Sequence, residues 1–198
     1  MKMSTYFAYL TRLRWIKRWG LMRNAYSENV MEHSWEVSVI AHTLALIKNQ
    51  YFKGHIDANA VAVAALYHDV TEVITGDMPT PIKYHSPDIL QSYKAIEKLA
   101  GLKLTALLPT ELTTQLQPLL CHESISIEVQ ELVGIADKIS AYLKCFAEAD
   151  AGSKEFQTAA DELLAKISAS ELPEVDYFMK VFIPACGLTL DNLMKVRG

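Results

Sequence analysis

A chain of 198 residues with 51% hydrophobic content is long enough to bury one sizeable core, and nothing in its composition asks for a second. Its 21% charged residues are ordinary, and no segment approaches the ~18 to 20 consecutive apolar residues of a membrane span, so a soluble protein without a membrane partner is expected. The formal charge of −4 hides an asymmetry: Lys2, Arg12, Arg14, Lys17, Arg18 and Arg23 all precede the first acid, Glu28, leaving 13 basic against 23 acidic residues in the remainder. A nucleic-acid polymer is not an expected partner for so acidic a body, whereas a local basic spot suits a small anion.

An Arg-rich, acid-poor start is also the composition of a mitochondrial transit peptide, but Trp15 and Trp19 suit packing or binding better than removal. A solvated helix face accounts for most of these cations, though not necessarily for Arg18. Cys121, Cys145 and Cys186 are odd in number and widely spaced, with no C-x-x-C pair. Neither a disulfide framework nor a thiolate zinc site is indicated, and a reducing cytoplasm is expected. No secretory leader is expected, since the first residues lack an uninterrupted apolar run.

In chain order, residues 4 to 18 read as a helix opened by Ser4, with Phe7, Leu10, Leu13 and Ile16 on one stripe and Arg18 and Trp19 at its C-terminal edge. Asn29 and Glu32 have capping-box spacing at the start of a second helix, whose Val30, His33, Val37, Ile40, Leu44 and Ile47 form a buried face. Asp57 caps a strongly apolar helix from about Ala58 to Ile74, which the run from Thr75 to Pro81 stops. Ser86 and Pro87 start a helix through about Leu99, and another spans Thr110 to Leu120. A long helix from about Ser126 to Ala149 closes near Gly152, with Val129, Val133, Ala136, Ser140 and Leu143 inward and Asp137 beside them. Two more helices, about Thr158 to Ala169 and Glu174 to Phe182, precede Pro184. With no strand alternation or repeat, the fold class is all-α: a single-domain helical bundle over residues 1–198, its metal-site core at about 28–150.

Four side chains carry the chemistry. His33, the adjacent pair His68 and Asp69, and Asp137 sit on three helices, each on or near an inward stripe. Burying imidazoles and carboxylates costs several kcal/mol unless they are paired or bound to metal, and one ion would satisfy all four. The mixed N/O set suits Zn, Co, Mn, Fe or Ni, with open positions for chemistry on a phosphoryl group. Glu72 lies three residues after Asp69 and so reaches the same side. Singly, each residue has a structural alternative: His33 as a core histidine, Asp137 as a salt-bridge partner. His42, His55, His85 and His122 fit surface or supporting positions.

At these residues the chain resembles the HD-domain superfamily of metal-dependent phosphohydrolases, whose signature of His, His-Asp and a distant Asp stands here as His33, His68-Asp69 and Asp137. Arg18-Trp19, Leu21 to Asn24, Glu28 to Val30, Thr75 to Tyr84 and Ala141 to Cys145 further resemble bacterial YfbR-type 5'-deoxynucleotidases along nearly the whole length. The resemblance implies hydrolysis of deoxyribonucleoside 5'-monophosphates to deoxynucleoside and phosphate by a homodimer with one divalent ion per chain.

It implies that His33, His68, Asp69 and Asp137 hold the ion. Arg18 would orient the phosphate, and Trp19 would pack on the sugar and exclude a 2'-hydroxyl, unless it is a core tryptophan. Asp77 and the backbone of Met78, Pro79 and Thr80 would line the pocket. Glu72 would position the attacking water and Asp77 help to protonate the leaving 5'-oxygen, unless Asp77 merely caps a turn. The chain departs from the family at Cys121 to Ser124, where an acidic cluster is usual, and His122 offers a second-ion ligand there, although one ion is the expectation. Other readings are an HD enzyme for another nucleotide, such as a triphosphate, cyclic dinucleotide or alarmone, and a regulator that binds nucleotide without turnover.

Overall fold

The N-terminal helix is shorter than its apolar spacing predicts. In the computed structural model, which describes residues 3–123 and 125–196, α1 spans Tyr6–Leu10 and tightens into a 3-10 turn, Thr11–Trp15, before Ile16 becomes extended. Lys2 of the basic segment and Ser124 lie outside the described residues. The tighter pitch, near three residues per turn, rotates the apolar face: Tyr6 and Leu13 are buried, while Phe7 is 71% exposed. Arg18 and Trp19 therefore do not sit on a helix edge. They follow a short antiparallel pairing in which Val30 N–H donates to Ile16 O (3.0 Å) and Arg18 N–H to Glu28 O (3.1 Å). Trp19 then turns the chain with φ +58°, a left-handed conformation costing a non-glycine residue roughly 1–2 kcal/mol.

α2, Val30–Tyr51, begins as its sequence dictates. Asn29 Oδ1 accepts from the Met31 and Glu32 amides, and Glu32 reaches back to the Asn29 amide, which sets the phase that buries Val30, His33, Val37, Ile40, Leu44 and Ile47. Asp57 caps α3, Ala58–Leu66, but the single helix expected to run on to Ile74 is interrupted. Residues 67–71 form overlapping i→i+3 turns before α4, Glu72–Thr75, ends at Gly76 with φ +73°. The proline-rich stretch beyond holds one turn, α5, Thr80–Lys83, with Pro81 in its first turn where a missing amide is harmless.

α6, Pro87–Thr105, is capped by Ser86 and continues past Leu99, because Gly101 is a packing residue there rather than a stop. A Cβ at that position would stand 2.4 Å from Leu120 O of α7, Thr110–Leu120. α8, Ile127–Asp150, starts from the Ser126 cap. Its most buried residues include Leu132, Ile135, Ala136, Ile139 and Ser140, whereas Val129, Val133 and Leu143 of the expected stripe are only half-buried. α9, Gln157–Ser168, α10, Pro173–Val181, a 3-10 turn at Ile183–Ala185 and α11, Leu190–Leu193, complete the chain. Among the described residues there is no strand, and no helix is long and apolar enough to cross a membrane, so the all-α class holds.

Val37, Leu44, Val61, Leu132, Ile139 and Val175 join α2, α3, α8 and α10 in one core. A second cluster of Tyr6, Leu13, Val30, Val70, Leu104 and Leu120 ties the N-terminal segment to α6 and α7. Outside these, a buried charge pair fixes the loop of residues 19–28. Glu148, fully buried, pairs with Lys144 one turn earlier and accepts from the Ala25 (2.8 Å) and Tyr26 (3.0 Å) amides. Lys144 also donates to Tyr26 O and stands over the Phe156 ring. Burial pushes the Glu148 carboxyl up, but Lys144 and the two amides outweigh it and hold it below its ordinary value.

A carboxyl with a depressed folded pKa contributes stability above its unfolded range and loses it as pH falls. Glu148→Ala, which strands Lys144, is therefore expected to lower the unfolding free energy by about 3–5 kcal/mol at neutral pH in urea titrations. The deficit should shrink below about pH 4; a deficit unchanged with pH would contradict this account.

Candidate metal centre and active site

His33 is 1% exposed, and its hydrogen bonds settle which nitrogen faces the site. Nδ1 lies 3.1 Å from Ser140 Oγ, and Ser140 gives its only proton to Glu36 Oε2 at 2.6 Å. The hydroxyl must therefore accept from Nδ1–H, which leaves Nε2 as the nitrogen that faces the site. That atom stands 3.1 Å from Asp137 Oδ1 and 3.5 Å from Asp69 Oδ2. Sequence reasoning missed Glu36 and placed Ser140 only as an inward residue. The available signals were a carboxylate three residues after His33 and a hydroxyl on an apolar stripe three residues after Asp137.

His68 and Asp69 sit in the tight turns between α3 and α4. His68 Nδ1 donates to Ala65 O at 2.7 Å, which again points Nε2 inward, 3.0 Å from Asp69 Oδ2. Because i→i+3 turns eclipse residues three apart, Asp69 and Glu72 stack on one side. The liganding atoms of His33, His68 and Asp69 lie within 4.8 Å of one another, and Asp137 approaches through His33 from α8.

The electrostatics of this group call for a cation. His68 is pushed up to about 9: burial opposes its charging, but Asp69 and then Asp137 outweigh burial. Burial likewise opposes ionisation of Asp69 and Asp137, yet His68 holds Asp69 and His33 holds Asp137 below the usual carboxylate range. Both imidazole Nε2 atoms are buried, and neither has a partner other than these carboxylates. Two such nitrogens facing two ionised carboxylates make a mixed N/O donor set that fits a divalent transition metal, so the cluster could hold one.

The basic N-terminal segment divides as its chemistry suggests. The Arg23 side chain is 92% exposed, whereas Arg18 is 12% exposed. Arg18 Nε donates to Glu28 Oε2 at 3.0 Å and Nη1 lies 3.5 Å from Asp69 Oδ2. Burial would lower its pKa, but Asp69, Asp137, Glu28 and Asp77 raise it, so it stays charged. Trp19 Nε1 donates to the same Glu28 oxygen at 3.0 Å, and its ring meets Phe156 edge-on at 5.4 Å. Trp15 is 63% exposed, under the Arg12 guanidinium.

Asp77 is raised by burial above all, while the Arg18 guanidinium holds it down. Glu72, 6% exposed with Oε2 unpartnered, is pushed up to about 10 by burial and by the charges of Asp69 and Asp77. Met78 and Pro79 are half-buried and Thr80 is exposed; among the described residues none hydrogen-bonds to the cluster. His122 is exposed, with φ +53°, and is not among the grouped liganding atoms.

A family model described as 5'-deoxynucleotidase YfbR-like matches residues 5–186. The 5'-deoxynucleotidase YfbR of Shigella boydii is 49% identical over 195 residues, 98% of each chain. An HD-domain phosphohydrolase from Listeria innocua superposes with a TM-score of 0.79 at 25% identity, covering 92% of this chain and 88% of that one. A cyanophage S-2L HD phosphohydrolase, solved with dA and one catalytic Zn2+ ion, shares the fold at 24% identity and a TM-score of 0.65, covering 96% and 99%. On its sequence match over nearly the full length, this chain belongs to the YfbR-like 5'-deoxynucleotidase family.

Proposed function

We propose that this protein is a metal-dependent 5'-deoxynucleotidase that converts deoxyribonucleoside 5'-monophosphates to deoxynucleoside and phosphate. The observation that carries this reading is the 3.5 Å approach of Arg18 Nη1 to Asp69 Oδ2, with Trp19 the next residue along the chain. Such an arrangement sets a permanent cation for phosphate and an aromatic wall for sugar beside one liganding centre. Support also comes from the curated relatives named 5'-deoxynucleotidase and from the dA and Zn2+ of the cyanophage enzyme.

His33, His68, Asp69 and Asp137 would hold the ion. A bound divalent ion supplies activation of water and neutralisation of phosphoryl charge. Arg18 binds the phosphate and orients it for in-line attack. Buried Glu72, stacked on the Asp69 side, positions the attacking water, while Asp77 helps to protonate the departing 5'-oxygen. Trp19, with its one N–H already taken by Glu28, leaves a ribose 2'-hydroxyl without a partner. Met78, Pro79 and Thr80 continue the wall from Asp77. The metal, among Co, Mn, Zn, Fe and Ni, belongs to this reading only as a class.

A cytoplasmic location and a homodimer are part of the same proposal. Three free cysteines suit a reducing compartment. The exposed Trp35, Val39 and Leu46 of α2, beside Val63 and Leu66 of α3, offer an apolar face that a second copy could bury. Sedimentation equilibrium should give twice the 22.2 kDa chain mass, and a monomer at micromolar concentration would remove that part.

Phosphate release from dAMP, dGMP, dCMP, dTMP and dUMP, compared with AMP across several divalent metals, tests the main claim. Release from dAMP should exceed that from AMP, and Glu72→Ala or Asp77→Ala should lower kcat by about 10²–10⁴ with bound metal retained. Equal rates on AMP and dAMP would reject the substrate selectivity. Ser140→Ala and Glu36→Ala, which free the His33 ring, should weaken metal binding about 10- to 100-fold in calorimetric titration; unchanged affinity would show that the Ser140–Glu36 relay does not orient the ligand.

A further inference from the structure

Glu28 lies behind both substrate-facing residues of the proposed site. One of its oxygens, Oε2, accepts from Arg18 Nε and from Trp19 Nε1, each at 3.0 Å, and its side chain is 14% exposed. Its backbone carbonyl also receives the Arg18 amide. We propose that Glu28 is the positioning residue that sets sugar specificity, by consuming the indole's only donor and the inner edge of the guanidinium at once. The proposal rests on the nucleotidase reading above.

The chemistry follows from counting donors. A tryptophan side chain has one N–H and no acceptor, so once Glu28 takes it the ring can offer nothing polar to a nearby hydroxyl. A 2'-hydroxyl placed against it loses its water partners and gains none, whereas the 2'-methylene of a deoxyribose loses nothing. Without Glu28 the indole N–H becomes free, both to reorient and to donate to that hydroxyl. For Arg18, engagement of Nε leaves the other guanidinium nitrogens available, with Nη1 directed at Asp69 and hence at the phosphate side of the cluster. Glu28 thus decides which face each residue presents, without itself touching substrate.

The test compares kcat and KM for dAMP and AMP in the parent, in Glu28→Met and in Glu28→Gln, with bound metal and thermal melting measured in each. Glu28→Met keeps the length of the side chain but has no comparable acceptor. It is expected to raise KM for dAMP and to lower the dAMP-to-AMP ratio of kcat/KM by about tenfold or more, with metal content unchanged. Glu28→Gln retains an acceptor oxygen and should keep the ratio within about threefold of the parent. Should Glu28→Met fail to fold, Glu28→Ala in the parent and in Trp19→Phe reads the same coupling: the ratio should fall in the parent background and stay unchanged in Trp19→Phe, which has no indole N–H, and an equal fall in both overturns the proposal. An unchanged ratio in a folded Glu28→Met variant overturns the proposal, as does a Glu28→Gln variant that loses selectivity as fully. A parent that discriminates while Glu28→Met still discriminates sinks only the role of Glu28; a parent that treats AMP and dAMP alike sinks the deoxy-selective reading and this inference with it.

Discussion

An imidazole nitrogen buried against a carboxylate is unstable unless something positive, a proton or a metal ion, lies between them, and the site is organised around that constraint. His33 Nε2 and His68 Nε2 face Asp69 and Asp137 at separations of 3.0 to 3.5 Å. Each imidazole is turned that way by a bond on its far side, to Ser140 in one case and to the Ala65 carbonyl in the other. Glu36 completes the first arrangement by fixing the Ser140 proton. Orientation therefore comes from α2, α8 and the end of α3, elements that share one apolar core.

Arg18 brings positive charge to within 3.5 Å of Asp69, with Lys83 acting from farther off, and the Arg18 edge is held by an indirect route. The Arg18–Trp19 segment needs a left-handed residue to turn. Its geometry is maintained from both ends of the following loop: by the backbone pairing with Glu28 and by the amides of Ala25 and Tyr26 anchored on Glu148. A buried ion pair on α8 thereby supports a strained turn near the substrate side, a coupling that no single segment displays by itself.

What could be read from the chain alone divides along the range of the forces involved. The starts of α2, α3, α6 and α8 were legible because Asn29, Asp57, Ser86 and Ser126 cap their own backbone within three residues. The inward placement of His33 followed from the phase that the Asn29 and Glu32 box imposes. The 3-10 tightening after Leu10 was not legible because the strand-like pairing of Lys17 with Asn29 accompanies it; the break at residues 67–71 was not legible although local, because nothing in the residue types announces that the His68 ring takes Ala65 O. The helix from Ser86 runs on past Leu99 to Thr105, and its Gly101 is a close contact with Leu120. Lys144 and Glu148 have the spacing of an ordinary surface pair, and only the folded neighbours reveal them as buried. Glu36 and Ser140 stayed hidden because their meaning depends on a partner about a hundred residues away.

That last separation bears on how the molecule comes together. His33 and Ser140 are 107 residues apart, and Arg18 meets Asp69 across 51. Contacts of such span close late, since the entropy of the intervening chain must be lost before they form. During synthesis the N-terminal half can assemble α2 and α3, but the fourth acceptor and the hydroxyl that fixes the first imidazole arrive only with α8. A ligand recognised by all of them discriminates finished molecules from unfinished ones, and the free energy of its binding is added to the completed fold alone.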